Sequence, residues 1–67
     1  SVPELIALLG STEDHLREGA ALALGAIGPA AKSALPALEK VKSDPDLLIR
    51  SAAQRAMVAI QKTDDGD

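Results

Sequence analysis

Leu16-Arg17-Glu18-Gly19-Ala20-Ala21-Leu22-Ala23-Leu24-Gly25-Ala26-Ile27-Gly28 returns, 33 residues later and without a gap, as Ile49-Arg50-Ser51-Ala52-Ala53-Gln54-Arg55-Ala56-Met57-Val58-Ala59-Ile60-Gln61. The correspondence runs outward from there. Residues 2–28 lie over residues 35–61, with Pro3 on Pro36, Leu5 on Leu38 and Leu8 on Val41. A period of this length marks a supersecondary unit that cannot cover its own apolar face and stacks on the next one. Within each copy the apolar residues step by four, three, one and three: Leu16, Ala20, Ala23, Leu24, Ile27, then Ile49, Ala53, Ala56, Met57, Ile60. That is a helical stripe, not a strand alternation.

Local signals place four helices around this stripe. Pro3 and Pro36 suit the first turns of two short helices, because amides there have no partner inside the helix. The first helix is expected over Pro3 to Leu9 and the second over Thr12 to Ile27, capped by Ser11. Gly28-Pro29 stops the second helix, and Pro29 to Lys32 reads as a helical turn. Ser33 is the expected cap of the third helix. Asp44-Pro45-Asp46 reads as cap, first helical residue and dipole complement of the fourth. The expected core is Leu5, Leu8, Leu16, Ala20, Ala23, Leu24, Ile27, Leu38, Val41, Ile49, Ala53, Ala56, Met57 and Ile60. The architecture expected is all-α: an α-solenoid fragment of two stacked helix hairpins. Repeat 1 spans about 1–32 and repeat 2 about 33–61, together one domain over 1–61, and 62–67 form a flexible acidic tail.

Composition narrows the function. Sixty-seven residues with no Phe, Tyr or Trp, and roughly one alanine in five, allow one small core of modest volumes. A net charge of −3 with no basic block argues against nucleic acid. No cysteine means no disulfide, thiolate metal site or thiol nucleophile. No apolar run reads as the ~20 residues of a membrane span. No leader peptide is recognisable at the start, so the cytoplasm is the expected setting. The opening Ser1-Val2-Pro3 has the look of a piece cut from a longer array.

These residues resemble the HEAT repeat family, in particular its short, alanine-rich prokaryotic branch related to phycobilisome-lyase-type repeats. The resemblance is carried by Val2-Pro3-Glu4-Leu5 and Leu35-Pro36-Ala37-Leu38, by the long stretch quoted above, and by Pro29-Ala30-Ala31-Lys32 leading into Ser33. It implies stacked helix hairpins and a structural Asp–Arg pair in each repeat, which fits Asp44 and Arg50. In the first repeat Arg17 is present but Ser11 stands where the acid would be. The second copy also lacks counterparts of Gly25 and Gly28, as a terminal repeat would.

Nothing in the chain assembles into catalytic machinery. His15 is the one histidine, expected on the polar side of the second helix, with no second histidine or nucleophile beside it. His15 with Glu18 supplies two ligands at most, too few for a metal site. Glu13-Asp14 and Asp64-Asp65 are adjacent carboxylates, read as dipole complement and solvated tail. The chain is therefore expected to be no enzyme and to need no cofactor. Its expected role is protein–protein interaction or scaffolding, with an unidentified protein partner and neither nucleic acid nor membrane. Leu22, Leu48 and Val58 lie off the main stripe: they either pack on a neighbouring repeat or, with Glu18 and Arg55, form the candidate protein-contact strip. Two uncapped repeats also predict homo-oligomerisation through the solenoid ends. The competing role, accessory to a phycobilisome-type bilin lyase or isomerase, follows from the resemblance alone.

Overall fold

A computed structural model of the protein describes residues 1–62; of the expected acidic tail all but Lys62 lies outside the described residues. Helix α1 spans Val2–Leu8, α2 Asp14–Ile27, a 3₁₀ segment Gly28–Ala34, α3 Leu35–Val41 and α4 Leu47–Gln61. The described residues contain no strand. The molecule is all-α, with α1 and α2 forming one helix hairpin and α3 and α4 the other. The two long helices α2 and α4 make the principal contact.

Prolines sit in the first turns of α1 and α3, where no intrahelical acceptor is lost. Ser1 caps α1, its Oγ accepting the Glu4 amide at 3.4 Å. The starts of the long helices differ from expectation. Ser11 is not the cap of α2; its Oγ accepts the Glu13 amide at 3.0 Å, and Glu13 takes the cap position. Asp44 repeats this arrangement, with Oδ1 accepting the Asp46 amide at 2.9 Å. Asp46 then caps α4 by accepting the Leu48 amide at 2.8 Å. A side chain that folds onto the backbone two residues ahead makes a turn of its own, so each helix starts two residues later. Ser33 caps nothing. The chain enters α3 already coiled from the 3₁₀ segment, with Ala34 at φ −85° and ψ −8°, so no side chain is needed to receive the first amides.

The turn between the hairpins rests on Gly28, the only described residue with positive φ (78°). The break it introduces has a second effect. By length and composition, and contrary to the expectation that no run reaches that length, Asp14–Val41 is apolar enough to pass for a membrane span, with a mean hydropathy of 1.3 over its best window. Those 28 residues are not one rod. Gly28 divides them, Ala31 leaves helical geometry at φ −96° and ψ 22°, and the pieces belong to different hairpins.

The core is built from Leu24, Leu38 and Ile49, fully buried, surrounded by Leu9, Val41, Ile60 and seven alanines. Five of its members were not expected: Leu9, Ala21, Ala31, Ala34 and Ala52. Leu5, Leu8, Ala23 and Met57 are half-buried. Leu16 and Ile27, expected inside, are exposed. Their repeat counterparts Ile49 and Ile60 are buried because α4 has a long helix on that side; α2 has none.

Candidate protein-contact surface

Alanine and glycine decide how near α2 and α4 come. A Cβ added to Gly25 would lie 3.0 Å from the Ala56 Cα and 3.2 Å from its Cβ. Helix backbones approach this closely only where side chains are small. The result is a shallow groove of about 240 Å³ between the two helices. Ala21, Gly25, Ala52, Ala56 and Ala59 line it together with Leu22 and Arg55. Leu22 and Arg55 are repeat counterparts, so the internal symmetry puts an aliphatic side chain on one helix and a cation on the other. Among the described residues Arg55 has no ion-pair partner.

The remaining candidate contact residues are not gathered here. Val58, exposed, lines a separate depression with Glu39, Lys42, Gln54, Met57 and Gln61. Leu48 is exposed in the first turn of α4, and Glu18 is half-buried on α2; neither lines the groove. His15 is exposed in the first turn of α2. Among the described residues no three His, Cys, Asp or Glu side chains gather where a metal ion could be held.

A polar clasp fixes the two hairpins beside the groove. Arg17 Nε donates to Asp44 Oδ2 at 2.8 Å, and Arg17 Nη2 donates to Asp44 Oδ1 at 3.3 Å. Nη2 also donates to Asp14 Oδ1 at 2.8 Å and Nη1 to the Ser11 carbonyl at 2.9 Å. A fork of this geometry is what guanidinium and carboxylate make best. Both side chains are largely removed from water, at 16% and 8% exposure. The Arg17 hydrogen bonds, joined by that of the Asp46 amide, hold the Asp44 carboxyl below the usual carboxylate range against the opposing pull of burial. The same contact with Asp44 raises the guanidinium of Arg17 further.

This arrangement differs from a pair confined to one repeat. Arg50 does meet Asp44, but through the backbone: Nη1 donates to the carbonyls of Asp44 (2.8 Å) and Pro45 (3.0 Å). Both arginines therefore make the same contact, to the carbonyl six residues back, while the one acid at this position serves the arginine of the preceding repeat. Sequence carried a trace of this: two arginines in register, but an acid only in the second copy. Ser11 gives the first copy no carboxylate at this position, and Asp44 of the second copy supplies one to Arg17.

Comparison with known proteins follows the same lines. A family model of HEAT repeats matches residues 1–58. Neither a curated protein nor a solved structure matches the chain.

Proposed function

Since the chain belongs to the HEAT repeat family, whose members generally mediate protein–protein interaction or scaffolding, we propose that it is a non-catalytic binding module whose contact site is the groove between α2 and α4. The observation that carries this reading is the groove itself: a floor of alanine and glycine, Leu22 and Arg55 at its sides, and Arg55 free to pair. A narrow apolar floor accepts small aliphatic side chains, and an unpaired guanidinium beside it favours a carboxylate on the same partner segment. HEAT repeats are typically non-catalytic, and here the groove's shape and fixed charge are enough for recognition without bond-making chemistry. Rigidity comes from the Arg17–Asp44 clasp, so the site is preformed and little ordering is required on binding.

The test is retention of partner proteins by the folded chain, compared with Leu22→Ser and Arg55→Glu. Both variants should keep the helical circular dichroism of the parent and lose the retained partner. Leu48→Ser lies outside the groove and should retain it. Loss with Leu48→Ser and not with the groove variants would move the contact site elsewhere.

A further inference from the structure

Two depressions border α4, and their charges differ. On one side is the α2–α4 groove, lined on α4 by Ala52, Arg55, Ala56 and Ala59. On the other lie Glu39, Lys42, Gln54, Met57, Val58 and Gln61. Lys42 is the one cation there, and Glu39 already holds it, Nζ to Oε2 at 3.5 Å. In the groove Arg55 is the one charged residue, and among the described residues nothing pairs with it. An anion that reaches α4 therefore finds a receiving charge on the groove side and an occupied one opposite.

The chain itself carries such an anion close by. Thr63-Asp64-Asp65-Gly66-Asp67, outside the described residues, holds three carboxylates in five positions. Helical spacing continues the groove-lining row of 52, 55, 56 and 59 to 62 and 63, so α4 hands the chain on from its groove side. Lys62 leaves helical geometry there, at φ −66° and ψ 124°. From Lys62 back to Arg55 is ~10 Å along the helix axis, and residues 63–67 can span roughly 17 Å. Aspartates just beyond a helix C-terminus face its negative end, and the last turn of α4 holds no basic residue to offset this. Lys62 can balance one charge of the three. Pairing with Arg55 exchanges a repulsion for an attraction.

We infer that Asp64-Asp65-Gly66-Asp67 is an intramolecular occupant of the α2–α4 groove, its carboxylates on Arg55. Read from sequence as a solvated pair, Asp64-Asp65 gains a receiver in that guanidinium. The segment is then a tethered competitor for the acidic partner segment assigned to the same site. Exposed charge pairs are weak singly, but a short tether presents these carboxylates at a millimolar effective concentration. The segment attenuates partner binding without abolishing it. This role rests on the groove being the contact site; the segment's position is measured without a partner, so the two readings fail separately.

A nitroxide attached to Gly66→Cys tests this, since the chain has no cysteine of its own. In NMR spectra the amide signals of Leu22 and Gly25, on the groove side, should broaden more than those of Glu39 and Lys42 across α4. Arg55→Gln should remove the difference. So should Asp64→Asn with Asp65→Asn and Asp67→Asn, substitutions that lie beyond α4. Both variants should keep the helical circular dichroism of the parent. In 1 M salt, where the screening length is ~3 Å, the difference should shrink. Equal broadening on the two sides, or a difference that survives either variant, overturns the inference. Stronger broadening at Glu39 and Lys42 does the same. Broadening that disappears on dilution would pass the segment to the groove of a second copy and overturn its intramolecular placement. If the difference is present while Leu22→Ser and Arg55→Glu still retain partners, the placement stands and only the role as competitor falls.

Discussion

Two glycines in the middle of α2 look alike in sequence and are opposites in their surroundings. Each lowers helix propensity by ~1 kcal/mol relative to alanine. Around Gly19 there is open space, so Gly19→Ala should recover most of that and stabilise the protein by up to ~1 kcal/mol. Gly25 faces the backbone of Ala56 at 3.0 Å for an added Cβ, and a helix backbone has no rotamer by which to retreat. Overpacking of this kind costs ~1–3 kcal/mol, enough to outweigh the propensity gain. Gly25→Ala should therefore lower the melting midpoint in urea while Gly19→Ala raises it. Shifts of the same sign would mean that the α2–α4 separation is not set by the absent side chain.

At the scale of the elements, the turns before α2 and α4 are the places where residue type and role part company. Asp44, Pro45 and Asp46 looked like cap, first helical residue and dipole complement, yet the cap is Asp46 and Asp44 closes the turn ahead of it. Asp46→Ala should cost about 1 kcal/mol of stability, and Ser33→Ala, at a position that caps nothing, should stay within about 0.5 kcal/mol of the parent by chemical denaturation. An equal loss from both would return Ser33 to the role of a cap. Much of this level was readable beforehand. Helix order, the proline positions and the Gly28 stop follow from local chemistry that acts over a few residues. The burial of Ala21, Ala31, Ala34 and Ala52 and the exposure of Leu16 and Ile27 were not readable, because periodicity shows that a face is apolar without showing whether anything lies opposite. For the same reason the groove could be foreseen only as a strip. Leu22 and Arg55 fell on it, whereas Leu48 and Val58 share their polarity pattern but point to other surfaces.

Across the whole molecule, 39 Å long and 16 Å at its thinnest, apolar contact joins the hairpins along α2–α4 and the Arg17–Asp44 clasp locks their register. The clasp brings a pH dependence whose sign follows from Asp44. Its carboxyl, held down chiefly by Arg17, binds a proton more readily in the unfolded chain than in the folded one. The clasp's contribution is complete above the ordinary carboxylate pKa of ~4 and is lost as pH falls through the lower folded value. Thermal melts should therefore separate Asp44→Asn from the parent at neutral pH, with the gap closing in acid. A gap that does not narrow at all as pH falls below the ordinary carboxylate range would show that shape at position 44, and not its charge, is what matters.

Gly28 carries a consequence of another kind. Its φ of 78° and ψ of −145° belong to a region that L-amino acids other than glycine essentially do not enter, although a Cβ built there would touch nothing within 4 Å. The obstacle is handedness, not volume. Substituting every other residue at 28 should give a nearly flat penalty, alanine faring little better than phenylalanine, whereas at 25 the penalty should climb with bulk. Natural variation can thus wander toward larger residues by small steps at many sites in this chain, but at 28 the first step is already the whole cliff.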